Sequence, residues 1–136
     1  MLRESGRAMA KLAALLLAGL LLAGCQTNAL QEFPLTKFRA ENMLDSGIRE
    51  YDNGNYKVSA RTIQGALDAG LTTRSKGRAH KYLAFMHCIA GQQAQCRDEF
   101  RKGIEVDPRL ELTAAEAGHP LWAPVFESVK ASMPKS

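Results

Sequence analysis

The sequence predicts an all-α protein: two helical hairpins in a stack, closed by a C-terminal capping helix and preceded by a signal peptide and a flexible tether. Three observations carry this. Apolar residues recur at helical spacing between Phe38 and Leu110. Two stretches within that span look alike when aligned, and each breaks at a glycine, Gly54 and Gly91, 37 residues apart. A last amphipathic run follows Pro124, a residue suited to the first turn of a helix.

At the N-terminus, Arg3, Arg7 and Lys11 give a positive start and Leu12 to Ala23 is an uncharged, leucine-rich run. Leu22-Ala23-Gly24-Cys25 closes it. This is the layout of a signal peptide. An apolar run of roughly a dozen residues spans about 18 Å as a helix, against ~30 Å of hydrocarbon, so it is too short for a retained membrane span. Met9 followed by Lys11 would form a compact signal by itself. Residues 1–24 are expected to be cleaved, so part of the 46% hydrophobic composition belongs to a segment that never joins the core. Beyond Cys25, 15 basic residues face 13 acidic ones. That balance is too slight to argue for nucleic acid, and no aromatic-interleaved basic stripe or phosphate-cradling glycine loop adds to it.

Leu22-Ala23-Gly24-Cys25 resembles the lipobox of bacterial lipoproteins. The resemblance implies a diacylglyceryl thioether on Cys25, and two or three acyl chains anchor a protein durably where one does not. No cofactor is expected besides this covalent lipid. Gln26 stands where, in such families, aspartate favours inner-membrane retention, which implies the outer membrane, facing the periplasm. Residues 25–37 contain Pro34, several polar side chains and no sustained period, and read as a tether.

The two similar stretches are NMLDSGIREYDNGNYKVSARTIQGALDAGL from Asn42 and HKYLAFMHCIAGQQAQCRDEFRKGIEVDPRL from His80. Each reads as an apolar-periodic helix, a glycine break, a second helix and a stop, within residues 38–110. Both resemble tetratricopeptide repeats, whose period is 34. Gly47, Gly54-Asn55-Tyr56 and Ala66-Leu67 carry the likeness in the first, and Leu83-Ala84, Gly91, Phe100, Gly103-Ile104 and Asp107-Pro108 in the second. Ser59 and Cys96 depart from the usual alanine, Glu50 and His87 from a common tyrosine. The surplus over 34 is expected in a loop from Thr72 to Gly77. In such repeats the first helix of each pair lines a concave groove. Transferred by position, this implies a partner-binding groove of Glu41, Leu44, Ile48, Tyr51, Arg78, Lys81 and Phe85.

Residues 111–136 supply a loop and the capping helix. Leu121, Trp122, Val125, Phe126 and Val129 can cover the apolar edge that an open stack leaves, with Trp122 and Phe126 expected over Phe100 and Ile104. The alternative is that Trp122 is exposed as an interface anchor.

With Cys25 lipidated, Cys88 and Cys96 remain, flanking the Gly91 turn in a chain expected to fold outside the cytoplasm. A disulfide between them is expected, the alternative being two buried thiols. His80 and His87 share a helical face, but no zinc-ligand spacing accompanies them, so packed or solvent-facing histidines are expected and no metal. His119 is expected to serve its Gly-Pro-Trp loop. No nucleophile stands beside a recognisable base and oxyanion donor, so an enzyme and a small-molecule substrate are not expected. Arg74, Lys76, Arg78 and Lys81 gather at the entry to the second hairpin, a patch suited to an acidic partner or anionic headgroups, or simply a solvated turn.

Tyr82-Leu83-Ala84-Phe85, His87-Cys88, Gln95 to Lys102, Asp107-Pro108 and the Gly118 to Phe126 block together resemble small tetratricopeptide-repeat lipoproteins associated with bacterial type VI secretion systems. That resemblance implies an outer-membrane scaffold or accessory subunit that binds a protein of the secretion membrane complex. The alternative on the same fold and anchor is a pilotin-like or outer-membrane assembly lipoprotein.

Overall fold

The computed structural model describes residues 29–134, with side chains from residue 35 on. The signal peptide and Cys25 lie outside the described residues. The chain divides into two compact units, Met1–Leu35 and Thr36–Ser136, and the packing below belongs to the second. The described residues form six helices and no strand: α1 Ala29–Asp52, α2 Tyr56–Ala69, α3 Thr73–Ile89, α4 Gln93–Val106, α5 Ala114–Ala117 and α6 Ala123–Ser132. None is long and apolar enough to cross a membrane.

Ala40, Leu44, Ile48 and Tyr51 recur on one stripe of α1, and the first three are buried. Residues 29–37, expected as tether, are helical instead. Ala29, Leu30, Gln31, Glu32 and Leu35 are good helix formers. They carry α1 through Pro34, although proline has no N–H to give the Leu30 carbonyl.

Both α1 and α3 end in the same way, 37 residues apart. Gly54 N–H donates to the Tyr51 carbonyl at 2.9 Å and Asn55 N–H to Glu50 at 2.8 Å; Gly91 donates to Cys88 at 3.1 Å and Gln92 to His87 at 2.9 Å. This is the Schellman pattern, which needs a left-handed residue after the helix. Gly54 and Gly91 supply it at φ +79° and +73°. Side chains repeat the match: Asn55 Nδ2 donates to Glu50 Oε2 at 2.8 Å, and Gln92 Oε1 lies 2.6 Å from His87 Nδ1. Glu50 and His87 therefore play matching parts, tying the end of one helix to the start of the next.

Within the first hairpin the helices approach closely. A Cβ on Gly47 would stand 2.6 Å from Ile63 Cγ1 and 3.2 Å from the Ile63 backbone nitrogen. In the second hairpin Cys88 and Cys96 are joined by a disulfide with a Cα separation of 5.2 Å.

The residues 72–77 are not the expected loop. Thr72 Oγ1 caps α3 by accepting from the Ser75 N–H at 3.4 Å, and the helix starts at Thr73. Glu41 of α1 reaches the same cap, accepting from Thr72 N at 3.1 Å, from Thr72 Oγ1 at 3.0 Å and from Ser75 Oγ. Residues 73–77 thus belong to α3 rather than to the connection.

Helix α3 is buried on more than one side, since it belongs to both cores. Ala79, Leu83 and Met86 join Ala40, Leu44, Ile48, Ile63, Ala66 and Leu71. Ala84, Phe85 and Cys88 join Cys96, Phe100, Ile104, Leu110 and the α6 side chains. Pro108 ends the second hairpin, where Asp107 caps α4. Trp122, Ala123, Phe126 and Val129 then close the second core. The cap joins Phe100 and Ile104 in one core as expected, and Trp122 reaches further, to α3. Phe126 meets Phe100 with rings 5.2 Å apart, while Trp122 stacks on Phe85 of α3 at 4.3 Å. Trp122 lies at the N-cap of α6, ahead of its first turn.

Truncating a buried aromatic to alanine costs about 3–5 kcal/mol. Phe126→Ala, at 0% exposure, and Trp122→Ala, at 7%, should each lower the denaturation midpoint by this order in chemical unfolding. The native tryptophan emission should be blue-shifted and poorly quenched. A red-shifted spectrum with an unchanged midpoint on Trp122→Ala would refute the cap.

Candidate functional site

The seven groove residues do not line an open groove. Leu44 and Ile48 belong to the first core and Phe85 to the second. Glu41 is engaged at the α3 cap, and Tyr51 is half-buried against Tyr56, Tyr82 and Phe85 at ring distances of 5.4, 5.1 and 6.2 Å. Burial, with Tyr56 and Tyr82 beside it, pushes the Tyr51 phenol up to about 12. Arg78 is exposed and pairs with Asp45 at 3.1 Å.

Lys81 is buried, and its position explains why the groove is closed. In the first hairpin the equivalent residue, 37 earlier, is Leu44. Lys81 Nζ instead meets Glu116 Oε2 of α5 at 2.7 Å and lies 5.7 and 5.8 Å from the Tyr82 and Phe85 rings. The chain's own 113–122 segment therefore occupies this side of α3. Thr113 and Glu116 form a capping box, with the carboxylate accepting from Thr113 N at 2.8 Å and Glu116 N–H donating to Thr113 Oγ1 at 3.3 Å. Trp122 Nε1 donates to the Glu116 carbonyl at 3.0 Å, and His119 stacks on the indole at 3.4 Å. His119 Nδ1 also accepts from Leu121 N at 3.3 Å, so this histidine organises its loop. Glu116 is absent from the residues that sequence reasoning singled out. The signal that finds it is Thr113-Ala114-Ala115-Glu116, a capping-box pattern.

His80 and His87 are not brought together with Cys88. His80 Nδ1 pairs with Glu99 Oε2 at 2.7 Å, His87 turns to Gln92, and Cys88 is bonded to Cys96. Among the described residues no group of three or more His, Cys, Asp or Glu could hold a metal ion.

One open concavity is basic. Arg74, Arg78, Lys81, Asp107, Arg109, Leu110 and Glu111 line a cavity of about 230 Å³ between the first turns of α3 and the segment after α4. Arg74, Arg78 and Lys81 belong to the expected basic patch, here carried on a helix; Lys76 is not part of the lining. Arg109 completes the cavity and was invisible as a partner of Arg74, because only the α4 stop at Asp107-Pro108 brings it back.

Compared with known proteins, the chain matches no family model, no curated protein and no solved structure.

Breaking a buried ion pair costs about 3–5 kcal/mol, because the remaining charge is left unpaired, while removing both charges is close to neutral. Lys81→Leu, which restores the first hairpin's residue, should destabilise by this order. The double variant Lys81→Leu/Glu116→Leu should recover most of the loss, a difference read from a double-mutant cycle in urea.

Acid should loosen the hairpin junction. Burial raises the Glu41 carboxyl, but hydrogen bonds from Ser75 and Thr72 outweigh it and hold the group below its ordinary 4.5. At Glu99 burial again raises the carboxyl, and the hydrogen bonds and charges of His80 and Lys102 outweigh it and hold the group below 4.5. Carboxyls depressed in the folded state contribute stability that is fully present above 4.5 and is lost as pH falls through the folded value. The thermal midpoint should therefore drop on acidification below about pH 4.5, and Glu41→Gln should flatten part of that drop.

Proposed function

We propose that this chain is an outer-membrane lipoprotein, anchored through lipid on Cys25 and facing the periplasm, that serves as a protein-interaction scaffold or accessory subunit of a type VI secretion system. The two hairpins are read as tetratricopeptide-like repeats with a C-terminal cap. The observation that carries this reading is the repeated helix end. Backbone bonds, glycine conformation and a side-chain bridge recur with a 37-residue offset at Gly54 and Gly91. Stacked units of this kind present extended surfaces for other proteins.

The envelope address is supported by the charged start, the apolar run and the Leu22-Ala23-Gly24-Cys25 block. The link to secretion is supported by the residue pattern from Tyr82 to Phe126. The closed inner face moves the proposed contact surface away from the expected groove, to the rim around Arg74 and Arg109.

Cys25→Ser should abolish labelling by palmitate and release the protein from membranes. A variant that still incorporates the label and fractionates unchanged refutes the anchor. Photo-crosslinking residues placed across the exposed surface of the lipidated protein should capture a component of the secretion membrane complex in the native envelope. Capture of a secretin or pilus protein instead would reassign the chain as a pilotin-like or assembly lipoprotein.

A further inference from the structure

We propose that the cavity between the start of α3 and the 107–111 segment receives a carboxylate from an acidic segment of a protein partner, with the Arg74 and Arg109 guanidiniums as donors. This deepens, and rests on, the scaffold reading above. The cavity of about 230 Å³ adjoins a second of about 170 Å³, and Arg74, Asp107 and Arg109 line both. Small-molecule sites run from about 300 Å³ upward. This smaller space suits a single side chain and its water.

The charges left unspent decide what enters. Asp107 Oδ1 accepts from the Arg109 N–H at 3.2 Å and closes the end of α4, and Glu111 is taken by Lys130. Arg78 is taken by Asp45 and Lys81 by Glu116. The Arg74 side chain has neither ion pair nor hydrogen bond among the described residues. The Arg109 side chain is 88% exposed, its Nε 3.7 Å from Asp107. Two guanidiniums with free donors thus line one concavity. A guanidinium presents a planar fork that matches a carboxylate in a bidentate pair.

The surrounding acids favour a peptide over a lipid surface. Asp45 and Glu111 are exposed beside the arginines, so a plane of anionic headgroups would meet those carboxylates as well as the cations. A single carboxylate entering the concavity stays clear of Asp45, and the two acids that line it, Asp107 and Glu111, are held by the Arg109 backbone N–H and by Lys130.

The test uses the full lipidated chain in phosphatidylcholine nanodiscs. The probe is an acetylated, amidated glutamate-rich hexapeptide, with its glutamine counterpart as control. The glutamate peptide should shift the Arg74 and Arg109 side-chain NMR signals and bind more weakly as salt rises. Arg74→Gln combined with Arg109→Gln should weaken binding by at least about tenfold through loss of charge-assisted hydrogen bonds. Arg97→Gln, at an exposed site on α4, should leave it unchanged. Equal binding of the glutamine peptide, or native affinity in the double variant, overturns the proposal. So does a response of the two arginines to phosphatidylglycerol in the discs without a response to peptide, which would make a headgroup the occupant. Envelope crosslinks to a secretion component that all lie away from residues 74 and 109 would remove this site and leave the scaffold reading standing. Peptide capture at the two arginines in a chain whose Cys25→Ser form still carries palmitate would do the reverse.

Discussion

Phe85 is the contact on which the rest of this structure depends. It is 1% exposed, and its ring lies 6.2 Å from Tyr51 of the first hairpin, 6.0 Å from Phe100 of α4 and 4.3 Å from Trp122 at the cap. Tyr82, 5.6 Å away on the same helix, extends the cluster toward the first core. Edge-on and stacked aromatic pairs add about 0.5–1.5 kcal/mol each beyond the area they bury. One side chain therefore couples three elements that are distant in sequence. The 113–122 segment is held against α3 because Trp122 is held there, and Glu116 reaches Lys81 because that segment lies there.

The two hairpins share matching helix ends and differ in a few inner residues. The helix ends are geometrically alike, and differences are confined to what the inner positions must do. Ser59 and Cys96 occupy matching, fully buried places early in the second helices. Cys96 is used in the disulfide that ties α4 to α3, which limits how far the second hairpin can open in the unfolded chain. Ser59 has no such partner, and its hydroxyl is buried without a hydrogen bond among the described residues. Leu44 and Lys81 are the second contrasted pair. Leucine completes an apolar core, whereas lysine needs a counter-ion, and the charge thereby specifies which segment of chain may lie over α3.

The hairpins, their glycine turns and a C-terminal apolar helix were legible in the sequence because each rests on a local rule: a helical period, a left-handed glycine, a proline in a first turn. What was not legible is long-range. Residues 29–37 lack a strong apolar period, so the helix there was read as tether. Thr72 to Gly77 looked like a loop because its basic run has no apolar spacing; the carboxylate that fixes its cap, Glu41, lies 31 residues away. Of the groove residues transferred by position, Leu44, Ile48, Lys81 and Phe85 are buried, since the rule assumes an empty inner face and this chain covers its own. Arg109 became part of the open site only through the reversal after α4.

A small helical bundle must reconcile two demands, since its apolar faces need covering while some surface must stay available. Here the cap does both. By placing Trp122 on Phe85 rather than over α4 alone, it buries the aromatic residues of the second core and takes the inner face out of use. The same path carries residues 107–111 past the start of α3, and there the chain has no apolar side chain to bury besides Leu110. Polar residues fill that margin, most of them paired internally, and the pairing is incomplete by the donors of Arg74 and Arg109. Closing one face of the fold is thus what leaves a second, charged concavity open at its edge.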